Sequence, residues 1–198
     1  MTSNTIKEET TWHRLLQNVT AAKPASGGAV YRAPLGTTLP ADSTTALANA
    51  FVALGYCSED GLTNNNNGTS DSLKAWGGDT VLTFQSEKED TFGFTLLEAL
   101  NADVLKTIYG EANVTGTLAT GISVSSKADE PTEYVWVFDM ITRGNATKRI
   151  VLPDAKITEL GEINYSDTDA VGYQITLTAM AKDGVTHYEY IKAAGTGT

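Results

Sequence analysis

Strand-like alternation of apolar and polar residues dominates the second half of the chain. Runs rich in Val, Ile, Thr, Tyr and Trp, a composition typical of β-strands, lie at 122–126, 133–142, 147–152, 170–182 and 186–192. Between them, Arg143-Gly-Asn145 and Lys182-Asp-Gly184 are typical of hairpin turns, because Asn, Asp and Gly tolerate the positive φ that tight turns need. The pattern predicts antiparallel strands joined by short turns.

One of these runs, 133–142, is apolar on both faces. Tyr134, Trp136, Phe138 and Met140 lie on one face, and Val135, Val137 and Ile141 lie on the other. A strand with one face toward water would alternate apolar with polar residues. This strand is therefore predicted to be central and buried on both sides.

The first half of the chain is more varied. Residues 29–35 are predicted to form an edge strand, because Pro34 cannot donate a hydrogen bond to a ladder. Residues 51–58 are an apolar run of strand length, whereas 39–50 fit either a short helix or a loop. Residues 79–90 alternate in polarity after Gly77-Gly78, which predicts a further hairpin.

An apolar repeat at every fourth residue predicts one packed helix over 92–109. Gly110 would then lie just past the helix end, where glycine is favoured. The predicted core-facing stripe consists of Leu96, Leu97, Leu100, Val104, Leu105 and Ile108.

These elements predict a mainly β (α+β) fold, an antiparallel β-sandwich or open barrel with one packed α-helix, forming a single domain over 29–192. The polar segment 1–28 is predicted to be a flexible N-terminal arm, and the small residues of 193–198 a flexible tail. Residues 59–75 are predicted to form a long exposed loop, because Asn64-Asn-Asn-Asn-Gly68 favours turns.

Composition narrows the possible partners. The chain has 14 basic and 24 acidic residues, a formal charge of −10, and no basic patch, so specific nucleic-acid binding is not expected. The one cysteine, Cys57, cannot form an internal disulfide and is predicted to be a small buried residue. No stretch approaches the ~20 apolar residues of a membrane span, and the first residues lack the apolar core of an export signal.

The residues that carry chemistry form no recognisable site. Gly77-Gly78 lacks the Lys and Ser/Thr of a phosphate-binding loop, and His13, His187 and Cys57 are too dispersed for a zinc cluster or a triad. Carboxylate pairs such as Glu59/Asp60 and Glu87/Glu89 are expected by chance among 24 acidic residues. We expect no enzymatic activity, metal or cofactor.

Four motifs stand in a specific order between residues 54 and 110. They are Leu54-Gly-Tyr-Cys-Ser-Glu-Asp-Gly-Leu-Thr63, Ala75-Trp-Gly-Gly-Asp79, Phe92-Gly-Phe-Thr-Leu-Leu-Glu-Ala-Leu-Asn101 and Val104-Leu-Lys-Thr-Ile-Tyr-Gly110. Their order and spacing resemble the major tail proteins, or tail tube proteins, of siphophages that infect Gram-positive bacteria. The resemblance covers about 29–192. The run of four asparagines departs from the family pattern.

The resemblance implies a structural virion protein that self-assembles into six-fold rings. The rings would stack into a hollow tail tube through which DNA passes to the host without specific binding. Loops and terminal arms would join successive rings, and neighbouring subunits would complete one inner barrel. Tape measure, tail terminator and distal tail proteins would be further partners. Assembly would take place in the host bacterial cytoplasm, and the final location would be the virion tail.

Within this framework particular residues become candidates. Lumen-facing candidates are Gln85, Glu87 and Glu89, because a like-charged channel would let DNA slide, although an ordinary outer surface is equally compatible with these residues. Candidates for contact between rings are Glu59, Asp60, Asn64, Asn65, Asn66 and Asn67. Trp76 is predicted to belong to the core.

Other protein classes share parts of this pattern. The inner tube of a contractile tail or injection machine would have the same fold and differ by its sheath. A β-sandwich adhesin or a capsid decoration protein would share the β composition, although a helix inside the sheet argues against a plain immunoglobulin-like sandwich. A hydrolase using paired carboxylates is a third alternative.

Overall fold

The computed structural model describes residues 19–25 and 28–193, and for residues 86 and 87 it describes the backbone alone. The strands are β1 (Ala22–Pro24), β2 (Val30–Pro34), β3 (Val52–Ala53), β4 (Thr63–Lys74), β5 (Thr80–Leu96), β6 (Val114–Thr117), β7 (Gly121–Val124), β8 (Tyr134–Thr142), β9 (Thr147–Leu160), β10 (Tyr173–Ala179) and β11 (Tyr188–Lys192). A helix, α1 (Ala102–Tyr109), is followed by a 3₁₀ turn at Glu111–Asn113.

Nine of the strands described form one antiparallel sheet. Its order is β3-β2-β8-β9-β10-β5-β4, with β1 beside β8 and β11 beside β9. The other two strands, β6 and β7, pair only with each other. The sheet is open, and the mainly antiparallel fold with one helix confirms the predicted fold class.

The sheet folds over itself to enclose an aromatic core. In β5, Phe92 and Phe94 face Trp136 and Phe138 of β8. The rings of Phe94 and Phe138 meet edge-on with centroids 5.3 Å apart, a favourable arrangement for two aromatic quadrupoles. All four side chains are at most 4% exposed, so this cluster forms the centre of the sandwich.

The segment 54–58 links the β2 side of the sheet to β5. The amide of Leu54 donates to the carbonyl of Val30 at 2.9 Å, and the amide of Ser58 donates to that of Thr95 at 3.0 Å. Cys57 also forms an isolated bridge with Leu96. Residues 51–58 have the length of a strand, but within this run only Val52–Ala53 pairs as one, β3.

Several predictions from residue patterns are confirmed. The strand β8 is central, and Tyr134, Val135, Trp136, Val137 and Phe138 are all buried. The predicted hairpin turns at 143–145 and 182–184 are present, with Asn145 and Asp183 at φ of 58° and 53°. In contrast, β2 was predicted to be an edge strand and lies between β3 and β8, where Pro34 occupies the last position. Residues 39–50 form neither helix nor strand.

The predicted helix over 92–109 begins too early. Residues up to Leu96 belong to β5, where Phe92, Phe94 and Leu96 alternate with period two and point inward. The helix starts only after Asn101, whose side-chain oxygen accepts the Asp103 amide hydrogen bond at 2.9 Å, as a good N-cap does.

The predicted stripe is therefore split between two elements. Val104 and Leu105 are buried on α1, and Ile108 packs against the core beside them. Leu96 is buried on β5, whereas Leu97 lies in the connection and Leu100 is 67% exposed. Leucines at four-residue spacing fit a helix, but alternate aromatic residues before them favour a strand.

The predicted loop 59–75 is mostly a strand. After a turn at 58–61, Thr63–Lys74 forms β4 along β5, with Asn64 opposite Phe92 and Asn67 opposite Glu89. Main-chain pairing with β5 overrides the weak strand preference of asparagine. All twelve β4 residues are exposed, as predicted for this segment.

The predicted terminal arms lie largely outside the described residues. Of the arm 1–28, residues 1–18 and 26–27 are not described, and of the tail 193–198 only residue 193 is. The described part of the N-terminal arm includes β1, which pairs with the end of β8 from Ala22 opposite Thr142 to Pro24 opposite Met140.

Candidate functional site: an exposed hairpin and its buried base

The strands β4 and β5 continue beyond the rest of the sheet as a two-stranded ribbon. The last β10 pairing is Thr178 with Thr91, whereas β4 still pairs with β5 from Asn66 opposite Asp90 to Lys74 opposite Thr80. We call residues 66–90 the hairpin arm. Because a lone two-stranded hairpin is only marginally stable in water, this arm is unusual on an isolated subunit.

The arm carries large apolar side chains that water contacts. Leu73 lies opposite Leu82, and Phe84 lies opposite Asp71, so the three apolar residues share one face of the ribbon. Their exposed fractions are 58%, 54% and 50%. Val81 on the other face is 60% exposed. Apolar residues clustered in this way are typical of an interaction surface.

The end of the arm is a turn that presents Trp76 to solvent. The Ala75 amide donates to the Asp79 carbonyl at 2.7 Å, and Gly77 and Gly78 adopt φ of 119° and 99°. Trp76 is fully exposed, so its predicted place in the core is wrong. The indole could not reach the core because the β4–β5 ladder holds the turn away from the body.

Where the arm leaves the body, a buried carboxylate ties three segments together. Asp90 Oδ1 accepts a hydrogen bond from Asn64 Nδ2 at 2.8 Å, and Asp90 Oδ2 accepts one from the Thr186 hydroxyl at 2.6 Å. His187 Nδ1 lies 2.5 Å from the same Oδ2. We call these four residues the Asp90 cluster.

The cluster keeps Asp90 ionised. Burial by itself raises the pKa of this carboxyl group, but hydrogen bonds from Thr186, Asn64 and His187 and the charge of His187 together leave the pKa below its ordinary value. The imidazole of His187 also meets the Phe92 ring edge-on at 5.4 Å. The cluster therefore joins the arm, the segment before β11 and the aromatic core.

The residue pattern did not reveal this cluster. Along β5, Asp90 stands at the same alternate positions as buried Phe92, Phe94 and Leu96. A charged residue on the otherwise apolar face of a strand was the sequence signal that could have pointed to the cluster. Its partner His187 is 97 positions away in the chain, so their contact could not be inferred from spacing.

The three lumen-facing candidates lie on the arm near the Asp90 cluster. Gln85 and Glu89 are exposed, and the backbone of Glu87 pairs with Thr69. A register shift between Thr69 and Ser70 places a bulge in the ladder opposite these residues. Because a bulge interrupts strict alternation, the placement of these three candidates at the lumen stays a prediction.

The candidates for contact between rings occupy two places. Glu59 and Asp60 lie in the exposed turn before β4, while Asn64, Asn65, Asn66 and Asn67 lie on β4 itself. Asn64 is committed to Asp90 through its side chain. The turn and the outer edge of β4 remain exposed beside each other.

Residues 19–25 and 28–193 contain no group of three His, Cys, Asp or Glu side chains that could hold a metal ion. Among the same residues, none of the helices is long and apolar enough to cross a membrane.

The chain matches the model of a known protein family. A family model described as phage tail tube protein matches residues 17–196, nearly the whole chain. A search of curated proteins gives no match.

Proposed function

Because this chain belongs to the phage tail tube protein family, we propose that its copies form six-fold rings that stack into the tube through which DNA leaves the virion. Family membership establishes a structural role in the phage tail and a location in the virion. The ring symmetry, the passage of DNA and the siphophage type are our proposal. We also propose that the protein has no enzymatic activity.

The hairpin arm is the observation that carries the proposal. A monomer in water gains nothing by exposing Leu73, Leu82 and Phe84 on one face of a ribbon. Removal of that face from water would drive association, at roughly 25 cal/mol for each Å² of apolar surface buried. The arm extends away from the body, so the surface that covers it belongs to another subunit.

Free strand edges supply a second means of association. In the described residues β11 pairs with β9 on one side, and β4 pairs with β5 on one side. Unpaired backbone groups at such edges favour strand addition from another chain. A ring of subunits would satisfy these edges, whereas an isolated subunit leaves them to water.

The acidic character of the chain fits a channel for DNA. With a formal charge of −10, the protein would not hold phosphates through basic residues. We place Gln85, Glu87 and Glu89 at the lumen, because Gln85 and Glu89 are exposed on the arm. The charge reversals Glu87→Lys and Glu89→Lys should preserve tubes but impair DNA delivery by phage particles that carry them.

Electron microscopy of the purified full-length protein tests assembly directly. Negatively stained samples over a concentration series should show rings or tubes. The double variant Leu82→Ser/Phe84→Ser should show neither rings nor tubes under the same conditions, because it replaces two of the three apolar side chains on one face of the hairpin arm by polar ones. Leu118→Ser, which changes another exposed leucine at the β6–β7 turn, should assemble normally. A wild-type protein that is monomeric at every concentration and salt would contradict the proposal.

Tape measure, tail terminator and distal tail proteins are the other partners that we propose, since a tube needs its length set and both ends closed. The inter-ring contacts are placed at the turn containing Glu59 and Asp60 and along β4 from Asn64 to Asn67. These residues lie beside each other on the exposed margin of the sheet, where a neighbouring ring has access to them.

A further inference from the structure

An apolar groove lies beside the C-terminal half of β5, the part that pairs with β10. It has a volume of about 340 Å³ and is lined by Phe94, Phe138, Met140, Leu62 and Cys57. Phe94 and Phe138 form part of the buried core, whereas Leu62, Cys57 and Met140 are partly exposed at the groove. A volume within the ~300–1,000 Å³ of small-ligand pockets admits one large side chain, but no further secondary-structure element.

The exposed indole at the end of the hairpin arm matches this groove in chemistry. Trp76 is fully exposed and, of the large apolar side chains described, has the greatest exposed fraction. Aromatic rings and a methionine thioether are favourable neighbours for an indole ring. Trp is also one of the residue types, with Tyr and Arg, that are enriched among the side chains that dominate binding energy at protein interfaces.

The charges beside the two surfaces are complementary. The groove has Lys23 of β1 on one wall and Glu59 of the turn before β4 on another. The arm has Lys74 and Asp79 on either side of the turn that holds Trp76, where the Ala75 amide bonds to the Asp79 carbonyl. All four charged side chains are exposed. Insertion of Trp76 can therefore bring Lys74 toward Glu59 and Asp79 toward Lys23.

A subunit cannot fill its own groove in this way. Between Asp90 and Thr80 the β4–β5 ladder is paired along its length, apart from two register shifts. At about 3.3 Å per residue, those ten steps hold the turn roughly 33 Å from the body. Since Phe94 and the groove lie at the body end of β5, the Trp76 that fills a groove must come from another subunit.

We propose that Trp76 of one subunit inserts into the apolar groove of a neighbouring copy, with Lys74 and Asp79 paired to Glu59 and Lys23 of that copy. The inference rests on the proposed function, because it names the contact through which the arm joins two subunits. It assigns the arm an anchor residue and assigns the groove an occupant.

Substitution of Trp76 tests how much its side chain contributes to the association of subunits. Trp76→Ala should raise the protein concentration needed for tube formation at least about tenfold, while Trp76→Phe, which keeps an aromatic ring, should have a smaller effect. The matched control Leu118→Ala removes exposed apolar surface elsewhere and should leave the threshold unchanged. Equal thresholds for wild type and Trp76→Ala would overturn the inference.

Charge reversal tests the orientation of the anchor. Glu59→Lys and Lys74→Glu should each raise the assembly threshold, because each places like charges together. The double variant Glu59→Lys/Lys74→Glu restores an opposite pair and should assemble more readily than either single variant. A double variant that is worse than both single variants would overturn the pairing.

Disulfide trapping tests the contact itself. The groove already contains Cys57, the one cysteine of the chain, so Trp76→Cys places a second thiol on the arm. Oxidation of assembled protein should give a ladder of covalent multimers, and the added change Cys57→Ser should abolish it. Crosslinks within single subunits would overturn the inference.

The outcomes distinguish the inference from the function on which it rests. If the wild-type protein forms no rings or tubes, the proposed function fails. If it forms tubes, and Trp76→Ala forms them at the same concentration, only the docking inference fails. In that case another segment, such as residues 1–18, would be the candidate occupant of the groove.

Discussion

The carboxylate of Asp90 and the imidazole of His187 lie 2.5 Å apart at the point where the hairpin arm leaves the body. No side-chain surface of Asp90 is exposed, and only 16% of that of His187 is. Asp90 belongs to β5, whereas His187 comes just before β11, so their contact fixes two parts of the sheet that do not pair with each other. The direction of the arm is set by this contact together with the β4–β5 ladder.

The substitution Asp90→Asn should destabilise the folded subunit by about 2 kcal/mol. The amide has nearly the same shape but loses the charge, and it leaves a buried donor without an acceptor. The free energy of unfolding in urea at neutral pH measures the effect. The neighbouring change Glu89→Gln removes an exposed charge of the same sign and should leave the unfolding midpoint in place. Equal effects of the two changes would show that the cluster contributes nothing specific.

The contribution of Asp90 should depend on pH in a defined direction. Its folded-state pKa lies below the ordinary value of 3.8, so the stabilisation is fully present above that value. It is lost as the pH falls through the lower folded-state pKa, because the unfolded chain then binds the proton more readily. The gap in unfolding free energy between wild type and Asp90→Asn should therefore persist from neutral pH to about pH 5 and narrow below pH 4. A gap that widens in acid would contradict this sign.

Arg149 should not tolerate replacement by lysine. Its guanidinium donates to both carboxylate oxygens of Asp139 at 2.6 and 2.8 Å, and to the carbonyls of Asp42 and Thr45 at 3.0 and 2.7 Å. A lysine ammonium cannot reproduce that planar set of donors, so Arg149→Lys should cost about 2 kcal/mol.

Two measurements would show the loss. Urea unfolding gives the free energy, and limited proteolysis should detect release of residues 42–45 from the sheet. The control Arg143→Lys changes an exposed arginine in the β8–β9 turn and should behave as wild type. If both arginine variants unfold alike, the hydrogen bonds of Arg149 are dispensable.

Gly116 should be required for the β6–β7 hairpin. It adopts φ of +85°, and a Cβ atom there would lie 2.0 Å from the Gly121 carbonyl oxygen. Gly116→Ala should therefore destabilise the hairpin by more than about 1 kcal/mol, measured as faster amide hydrogen exchange over 114–124. Gly144→Ala is the matched control, because a Cβ at Gly144 meets no atom within 4 Å. If amide hydrogen exchange is unchanged in Gly116→Ala, the hairpin accommodates the added Cβ beside the Gly121 carbonyl without losing stability.

Cys57 should react slowly in the folded protein. Burial raises the pKa of its thiol from 9.0 to about 11, so at pH 8 its thiolate fraction is about a hundredfold smaller than that of an exposed cysteine. Alkylation by iodoacetamide should be slower by at least that factor in the native protein than in urea, as followed by mass spectrometry. Equal rates in the two conditions would place the thiol in water.

The strands of the second half were predictable because their signal is local. Alternating side chains place successive residues on opposite faces, and β8 is apolar on both, so its central position follows from its own residues. The hairpin turn at Asp183-Gly184 is also local, since those residues favour the positive φ that the turn needs. The order of the strands in the sheet has no comparable local signal.

Two errors in the first half have a common physical cause. The helix was extended back to residue 92 because leucine spacing fits both a helix and a strand followed by a helix. The segment 63–74 was assigned to a loop because asparagine has a low intrinsic preference for strands. In both cases pairing with a neighbouring strand, β10 for residues 92–96 and β5 for residues 63–74, provides backbone hydrogen bonds that outweigh the local preference.

The β class of this protein, its central strand, its tight turns, its acidic charge and the motif order that matches a tail tube family all follow from the residue order alone. Each of these depends on neighbouring residues or on composition. By contrast, the exposure of Trp76 at the end of an arm, the groove beside Phe94 and the contact of Asp90 with His187 emerge only in the folded chain. Those relationships join residues far apart in the chain, and their free energy exists only once the sheet has folded over its core.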